Sequence, residues 1–242
     1  MPLSGPHVVP NESAIRRSPF SRDTVRFLAE LKANNDRAWF EANKHRYEAL
    51  VLEPSLSFIE SMDRRIEGIS KHFLAVPKRT GGSLMRVYRD TRFAHDKTPY
   101  KTNIGIQFRH ERGRDVHAPG FYVHIAPDGC FLGAGLWHPE PQALHAIRMR
   151  IVEQPARWGK ASTNDAFRAR FELAGDRLAR LPRGFAADAP HVEDLKRKDF
   201  IAVSTIANAD VLQPDFCDDV AARFKAAAPL MSFLCAALDL RY

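Results

Sequence analysis

The chain has 242 residues, 45% of them hydrophobic and 27% charged, a composition that excludes disordered and fibrous proteins and is typical of globular ones. This length fits one large domain or two small ones, and such a chain folds without disulfides or a structural metal. Its three cysteines, Cys130, Cys217 and Cys235, are too few and too widely spaced for a disulfide framework. With neither a secretory signal nor a membrane-spanning apolar run, we expect a cytoplasmic protein.

The formal net charge of +7 is concentrated in one segment of the chain. Residues 78–114 contain ten of the 36 Lys and Arg residues but three of the 29 Asp and Glu residues, which leaves 26 of each sign elsewhere. A local excess of positive charge attracts an anionic partner. The candidate partners are a phosphorylated or carboxylated small molecule, a nucleic acid, and an acidic protein surface.

The N-terminal third of the chain has helical periodicity. Ser21 is a suitable N-cap for a first helix that ends near Ala33. The turn at Asn34-Asn35-Asp36 provides a new N-cap, so a second helix is expected to follow it. That helix should kink or restart at Pro54, which lacks a backbone donor, and continue to Gly68.

The middle of the chain has alternating and aromatic-rich segments, which predict antiparallel strands. Residues with turn propensity bound each segment, and Pro127-Asp128-Gly129 predicts a tight hairpin turn. The expected strands are 73–76 at an edge, 83–89, 103–109, 121–126 and 130–137.

Helical periodicity returns after these strands. Residues 141–152 and 165–173 are expected to be helical, and the β-branched run 200–206 predicts one more strand. The last helix begins near Pro214 and should break at Pro229, because proline cannot donate the backbone hydrogen bond of a helix interior.

Together these elements predict a single α+β domain over residues 19–242. Its centre is a mostly antiparallel sheet, flanked by the N-terminal helices and by the C-terminal helix. Residues 1–18 are rich in Pro, Ser, Gly and Asn and lack periodicity, which predicts a mobile arm ahead of the domain. No internal repeat or linker divides the chain after residue 18.

Segment 86–103 combines five basic side chains, two carboxylates, a histidine and two tyrosines. Arginine forms bidentate hydrogen bonds with phosphate or carboxylate, lysine adds a point charge, and tyrosine can hydrogen-bond to a ligand or stack on it. We therefore predict a basic pocket for a small anionic ligand. Its expected contacts are Arg86, Tyr88, Arg89, Arg92, Lys97, Tyr100, Lys101, Tyr122 and His124.

Tyr122 and His124 join this set because of strand alternation. Within 121–126 they share one face, where they could line the floor of a pocket while the alternate apolar residues pack on the helices. The alternative is an ordinary polar sheet face. Gly133 and Gly135 do not open a helix and so indicate no dinucleotide site; in a strand they mark a bulge or a close approach of backbone or ligand.

A structural interpretation of the basic segment also stays open. Arg89 with Asp90, and Arg92 with Asp96, could form salt bridges that fix the loop 91–102 without any ligand. Such ion-pair networks produce the same clustering of charged residues as a binding site.

Two macromolecular partners are further alternatives. A nucleic acid could bind the basic segment 78–114 through its phosphates and stack on Phe93 or Tyr100, although no recognisable nucleic-acid-binding motif is present. A protein-interaction domain would instead present the same basic surface to an acidic partner. The sequence does not determine the oligomeric state.

Candidates for catalysis are few. Proton transfer by His95 or His124 with Asp90 or Asp96 is the simplest chemistry, because a carboxylate that holds one imidazole nitrogen leaves the other free to accept a proton. No cofactor is expected. No metal is expected either. The histidines with acids nearby are His117, His124 and His138, and they lack the spacing typical of metal ligands.

Six stretches carry a recognisable family pattern: residues 34–40 with Lys44 and Tyr47, 89–93, 96–101, 120–125, 133–141 and 182–185. Together they resemble the bacterial and fungal family known as domain of unknown function 2461, over roughly residues 18 to 240. Ala189-Pro190 departs from the His-Pro expected there, so no histidine role is assigned at that position. The resemblance implies a single α+β domain and no established activity.

Overall fold

Helices occupy the N-terminal part of the computed structural model, which describes residues 18–92, 94–113 and 118–242. Two predicted N-caps are confirmed: the Ser21 and Asp36 side chains accept hydrogen bonds from the Thr24 and Trp39 backbone N–H groups. The restart at Pro54 is confirmed as well. These elements are α1 (Arg22–Ala33), α2 (Arg37–Ala42), α3 (Lys44–Tyr47), a π-helical turn (Glu48–Leu52) and α4 (Glu53–Glu67).

The predicted arm lies, apart from Ser18, outside the described residues. Ser18 is attached to the fold, because its hydroxyl donates a 2.6 Å hydrogen bond to the carbonyl of Val211. Phe20, two residues later, is already buried against the rings of Phe58 and Phe216.

The described residues form one sheet of six strands in the order β1-β2-β3-β4-β6-β5, with every neighbouring pair antiparallel. The mostly antiparallel sheet of an α+β domain is therefore confirmed. The strands are β1 (Phe73–Leu74), β2 (Ile104–His110), β3 (Gly120–Ile125), β4 (Cys130–Leu136), β5 (Glu172–Ala174) and β6 (Phe200–Ile206).

The predicted strand 83–89 is wrong as a continuous element. Its first half pairs with β2, as the bridge from Leu84 to Ile106 shows, and its second half pairs with residues 99–101 through the bridge from Tyr88 to Tyr100. Because the segment changes partner midway, neither half extends into a ladder.

The predicted helix 165–173 is also only partly correct. Helical structure ends at Arg168, and Glu172–Ala174 pairs with β6 as the edge strand β5. The buried ring of Phe171 marks the change from helix to strand. An open sheet edge supplies backbone partners that a helical pattern in the sequence does not reveal.

The C-terminal half supplies the remaining helices. The predicted break in the last helix is confirmed, with Ala227 between its two halves and Pro229 in the first turn of the second half. The elements are α5 (Pro141–Glu153), α6 (Pro155–Thr163), α7 (Asp165–Arg168), α8 (Val192–Leu195), α9 (Asn208–Val211), α10 (Phe216–Ala226) and α11 (Ala228–Ala237).

The helices cover one face of the sheet and leave the other face open. One face of β3 is fully buried and consists of Phe121, Val123 and Ile125. The Phe121 ring packs on Phe224 of α10, with 4.7 Å between ring centroids. The alternate residues Tyr122 and His124 are only partly buried. This division between the two faces agrees with the predicted strand alternation.

In the described part of the chain, no single helix is long and apolar enough to cross a membrane. Helices α10 and α11 reach that length and composition only as a pair, with a bend of 51° between them. Both helices contribute fully buried side chains to the core, among them Phe224 and Leu234.

Candidate anion-binding cleft

The turn between α1 and α2 holds the basic segment in place. The Asn35 side-chain amide donates to the carbonyl oxygen of Tyr100 at 2.9 Å, and its oxygen accepts from the Tyr100 backbone N–H at 3.1 Å. The Tyr100 ring is buried and stacks on Phe40, with 4.0 Å between ring centroids. Tyr100, predicted as a ligand contact, therefore also anchors this segment to the N-terminal helices.

Residues 87–89 pair with residues 99–101 and enclose the loop 90–98. The backbone N–H of Arg89 donates to the carbonyl of Pro99 at 2.9 Å, and that of Lys101 donates to Val87 at 2.7 Å. Residue 93 within the loop, one of the two predicted stacking aromatics, lies outside the described residues.

Ion pairs close the loop, but not in the pairing that the sequence suggested. The Arg89 guanidinium binds the Asp96 carboxylate and the Thr98 hydroxyl. Arg92 binds Asp90 through two hydrogen bonds of 3.0 and 2.7 Å. The structural interpretation is thus supported for these four charged residues, with the carboxylate partners exchanged.

These contacts also affect the catalytic candidates. The backbone N–H of Thr98, followed by Arg89, lowers the pKa of Asp96 to about 2, and hydrogen bonds from Arg92 lower the pKa of Asp90 to about 2. Both carboxylates are therefore ionised at neutral pH and poorly suited to proton transfer. Since the oxygens of Asp96 bind Arg89 and Thr98, the predicted pairing of Asp96 with His95 is not formed.

A cleft of about 330 Å³ opens beside residues 99–101. Most of its wall consists of cationic, amide and hydroxyl side chains. The lining residues are Lys32, Asn35, Arg89, Asp96, Thr98, Tyr100, Lys101, Thr102 and Asn103.

A second cleft, of about 280 Å³, shares Arg89 and Tyr100 with the first. Its other lining residues include Arg37 and Tyr88, and the Tyr88 side chain is 51% exposed. Two clefts thus adjoin the segment that the sequence singles out.

Lys101 is the cation of the first cleft that lacks a counter-charge. Its ammonium group is partly buried and forms no hydrogen bond or salt bridge with the residues that the structure describes. Burial, and then the charge of Arg86, lowers the pKa of Lys101. By contrast, Lys32 binds Asp128 at 3.1 Å. Within the described part of the chain, no carboxylate balances the charge of Lys101 in the cleft.

The remaining predicted contacts lie in three places. Arg86 is exposed, and its positive charge lowers the pKa of Lys101. Arg92 and Lys97 bind within the loop itself, Lys97 through a 2.9 Å hydrogen bond to the carbonyl of Thr91. Tyr122 and His124 lie on the open sheet face, where Asn103 connects His124 to the cleft through a 3.4 Å contact to Nδ1.

Partial burial favours the neutral form of His124. Burial lowers its pKa, an effect that the charge of Asp128 partly opposes. Its Nδ1 lies 3.3 Å from the hydroxyl of Tyr122, and its ring stacks on Phe131 at 4.5 Å. Phe131 was not among the predicted contacts. Strand alternation from Gly133 and Gly135, together with the register of the 127–129 hairpin, would have placed it opposite His124.

The glycines of β4 do mark a close approach of backbone. Gly135 has φ +130°, and a Cβ there would lie 2.0 Å from the carbonyl oxygen of Phe200. The described residues contain no group of three His, Cys, Asp or Glu side chains that could hold a metal ion, and His117 lies outside them.

Fold and cleft together define an α+β protein with an open sheet face and an adjoining cleft lined by charged and polar side chains. The model of one protein family, described as a conserved hypothetical protein family (DUF2461), matches residues 23–233. The chain therefore belongs to this family, as the sequence resemblance implied. Comparison with curated proteins and comparison with solved structures each gave no match.

Proposed function

We propose that this protein binds a small phosphorylated or carboxylated molecule in the first cleft. The observation that carries the proposal is the partly buried ammonium of Lys101, which has no hydrogen-bond or ion-pair partner in residues 18–92, 94–113 and 118–242. A cation without a counter-charge costs free energy when it is removed from water, and a bound anion offsets that cost.

The other lining residues fit this role. Thr102 and Asn103 offer neutral hydrogen-bonding groups, and Arg86 adds positive charge beside Lys101. Arg89 shapes the cleft by holding Asp96 and Thr98, which leaves Lys101 as the main ligand for the anion. The free cysteines suit a reducing compartment, so we place this function in the cytoplasm.

The test is calorimetric titration with inorganic phosphate, ribose 5-phosphate and citrate, at low and high salt. Loss of a charge-assisted hydrogen bond costs about 1.5–3 kcal/mol. Lys101→Met should therefore lower the affinity for any probe that binds by about 10- to 100-fold. The matched control is Lys97→Met, which removes an equal charge from the exposed loop and should change affinity less than about twofold.

Two outcomes would contradict the proposal. The first is that none of the three probes binds at low salt. The second is that both lysine variants weaken binding equally and high salt abolishes it, because a general positive field rather than a cleft would then attract the anion.

A further inference from the structure

Three rings form a cluster on the open face of the sheet: Tyr122, His124 and Phe131. The rings of His124 and Phe131 stack with 4.5 Å between centroids and 13° between planes, and Tyr122 lies 5.8 Å from Phe131. All three are partly exposed, and they lie on the face opposite the buried residues of β3 and β4. No requirement of the hydrophobic core explains them.

Glycines on the neighbouring strands accommodate this ring cluster. Across the ladders, Tyr122 is opposite Gly133 and His124 is opposite Gly105. A Cβ at Gly105 would lie 2.8 Å from the Tyr122 hydroxyl and 3.1 Å from the Met85 sulfur. The Tyr122 side chain thus extends over the backbone of β2, so the cluster is a packed surface and not a set of isolated exposed rings.

The ring cluster adjoins the basic cleft. Asn103 lines the cleft and contacts Nδ1 of His124 at 3.4 Å. Lys32, which also lines the cleft, binds Asp128, and the charge of Asp128 raises the pKa of His124. The cleft volume of about 330 Å³ is at the small end for ligand sites, so a larger ligand must extend beyond it.

We propose that the ligand of the cleft carries a planar ring joined to its anionic group, as a nucleoside monophosphate does, and that this ring stacks on the ring cluster. The inference rests on the proposed function, because Lys101 is required to hold the anionic group. Aromatic side chains can stack on any nucleobase, because every base has a π-face. The contact between the phosphate and Lys101 would position the molecule for this stacking. The partly exposed Phe131 and His124 supply the stacking surface.

The experiment compares ribose 5-phosphate with the four common nucleoside 5′-monophosphates by calorimetry. Stacking of one base contributes about 5- to 150-fold in affinity, so at least one nucleotide should bind about tenfold or more tightly than ribose 5-phosphate. Phe131→Leu should reduce that ratio to about one while the affinity for ribose 5-phosphate stays within about twofold. The matched control is Trp137→Leu, which removes a ring that is 64% exposed beyond the far end of β4 and should preserve the ratio.

Several outcomes would overturn the inference. Equal binding of ribose 5-phosphate and all nucleotides would do so, as would a nucleotide preference that survives Phe131→Leu. A single-stranded octanucleotide that binds more tightly than every mononucleotide would assign the ring cluster to nucleic acid instead. Failure of ribose 5-phosphate and the nucleotides to bind at all would overturn the proposed function itself and the inference with it.

A second measurement keeps the inference testable if Phe131→Leu does not fold. In the unaltered protein with the tightest-binding nucleotide, NMR should show nuclear Overhauser contacts between the base protons and the Phe131 ring. Contacts from the base to other aromatic rings, without Phe131, would contradict the proposed stacking.

Discussion

Asn35 and Tyr100 join the N-terminal helices to the basic segment through two hydrogen bonds between one side-chain amide and one backbone unit. Because both polar groups of the Tyr100 backbone are satisfied by the same side chain, the position of Tyr100 in the cleft lining depends on a turn 65 residues earlier in the chain. The amide of Asn35 is therefore a structural element of the cleft.

The first prediction concerns this amide. Asn35→Ala leaves the Tyr100 N–H and carbonyl without partners, which should cost about 1–3 kcal/mol. For a chain of this length, each 1 kcal/mol lowers Tm by about 2–4 °C. The control is Asn34→Ala in the same turn. Among the described residues the exposed Asn34 side chain bonds only to the carbonyl of Glu30, so this variant should lose less than about 0.5 kcal/mol of stability. Equal losses of Tm in thermal unfolding would refute the special role of Asn35.

A second prediction tests the backbone of β4. In Gly135→Ala, the new Cβ meets the Phe200 carbonyl at 2.0 Å in a conformation with φ +130°, so the loss should exceed about 3 kcal/mol. Gly133→Ala, two residues earlier on the same face, places Cβ at an ordinary 3.4 Å from Tyr122 and should change stability by less than about 1 kcal/mol. Chemical denaturation of the two variants measures the difference, and comparable stabilities would show that Gly135 is not required.

The third prediction concerns the ion pair between Arg89 and Asp96. In the folded protein the pKa of Asp96 is about 2, because the Thr98 N–H and then Arg89 favour the ionised form. The associated stabilisation is present above the unfolded value of 3.8 and is lost as the pH falls through about 2. Arg89→Met should raise the pKa of Asp96 toward 3.8, as measured by NMR titration.

Asp90 supplies an internal control for that titration. Its pKa of about 2 depends on hydrogen bonds from Arg92 and not on Arg89. It should therefore stay unchanged in Arg89→Met. A pKa of Asp96 that also stays unchanged in the variant would mean that Arg89 does not stabilise its ionised form.

The fourth prediction concerns the pH dependence of stability. Burial lowers the pKa of His124 below 6.5, so the unfolded chain binds a proton at a higher pH than the folded protein does. Stability from this residue is therefore lost as the pH falls from 6.5 toward the folded pKa. Urea unfolding between pH 7.5 and 5 should show a smaller decrease in His124→Gln than in the unaltered protein. Parallel curves would show that His124 titrates alike in both states.

Much of the fold follows from local patterns in the sequence. Ser21 and Asp36 cap helices where their side chains predict caps, and the β3–β4 hairpin follows from its Pro127-Asp128-Gly129 turn. One of the predicted elements that the structure does not form, the strand 83–89, fails for a specific reason. Its alternating residues suit a strand, but an alternating pattern does not specify that two different partners share the segment.

The candidate site was predictable in its location and less so in its contacts. Charge counting singles out a segment whose residues line two clefts, and strand alternation places Tyr122 and His124 on a common face. The pairing of Arg89 with Asp96 in place of Asp90 was not predictable, because it depends on how the loop returns after residue 90. Phe131 was missed although the predicted 127–129 hairpin places it opposite His124, because a single Phe in a strand carries no functional signal before it is paired with its neighbour.

The sequence by itself therefore determined the α+β class, the main helices and strands, and the concentration of positive charge in residues 78–114. Tertiary structure alone decided which cations of segment 86–103 find acceptors within the protein. Lys97 bonds to its own loop, whereas Lys101, four residues later, lines a cleft and has no counter-charge among the described residues. Burial and pairing depend on residues distant in the chain, so identical side chains in one segment acquire different electrostatic roles.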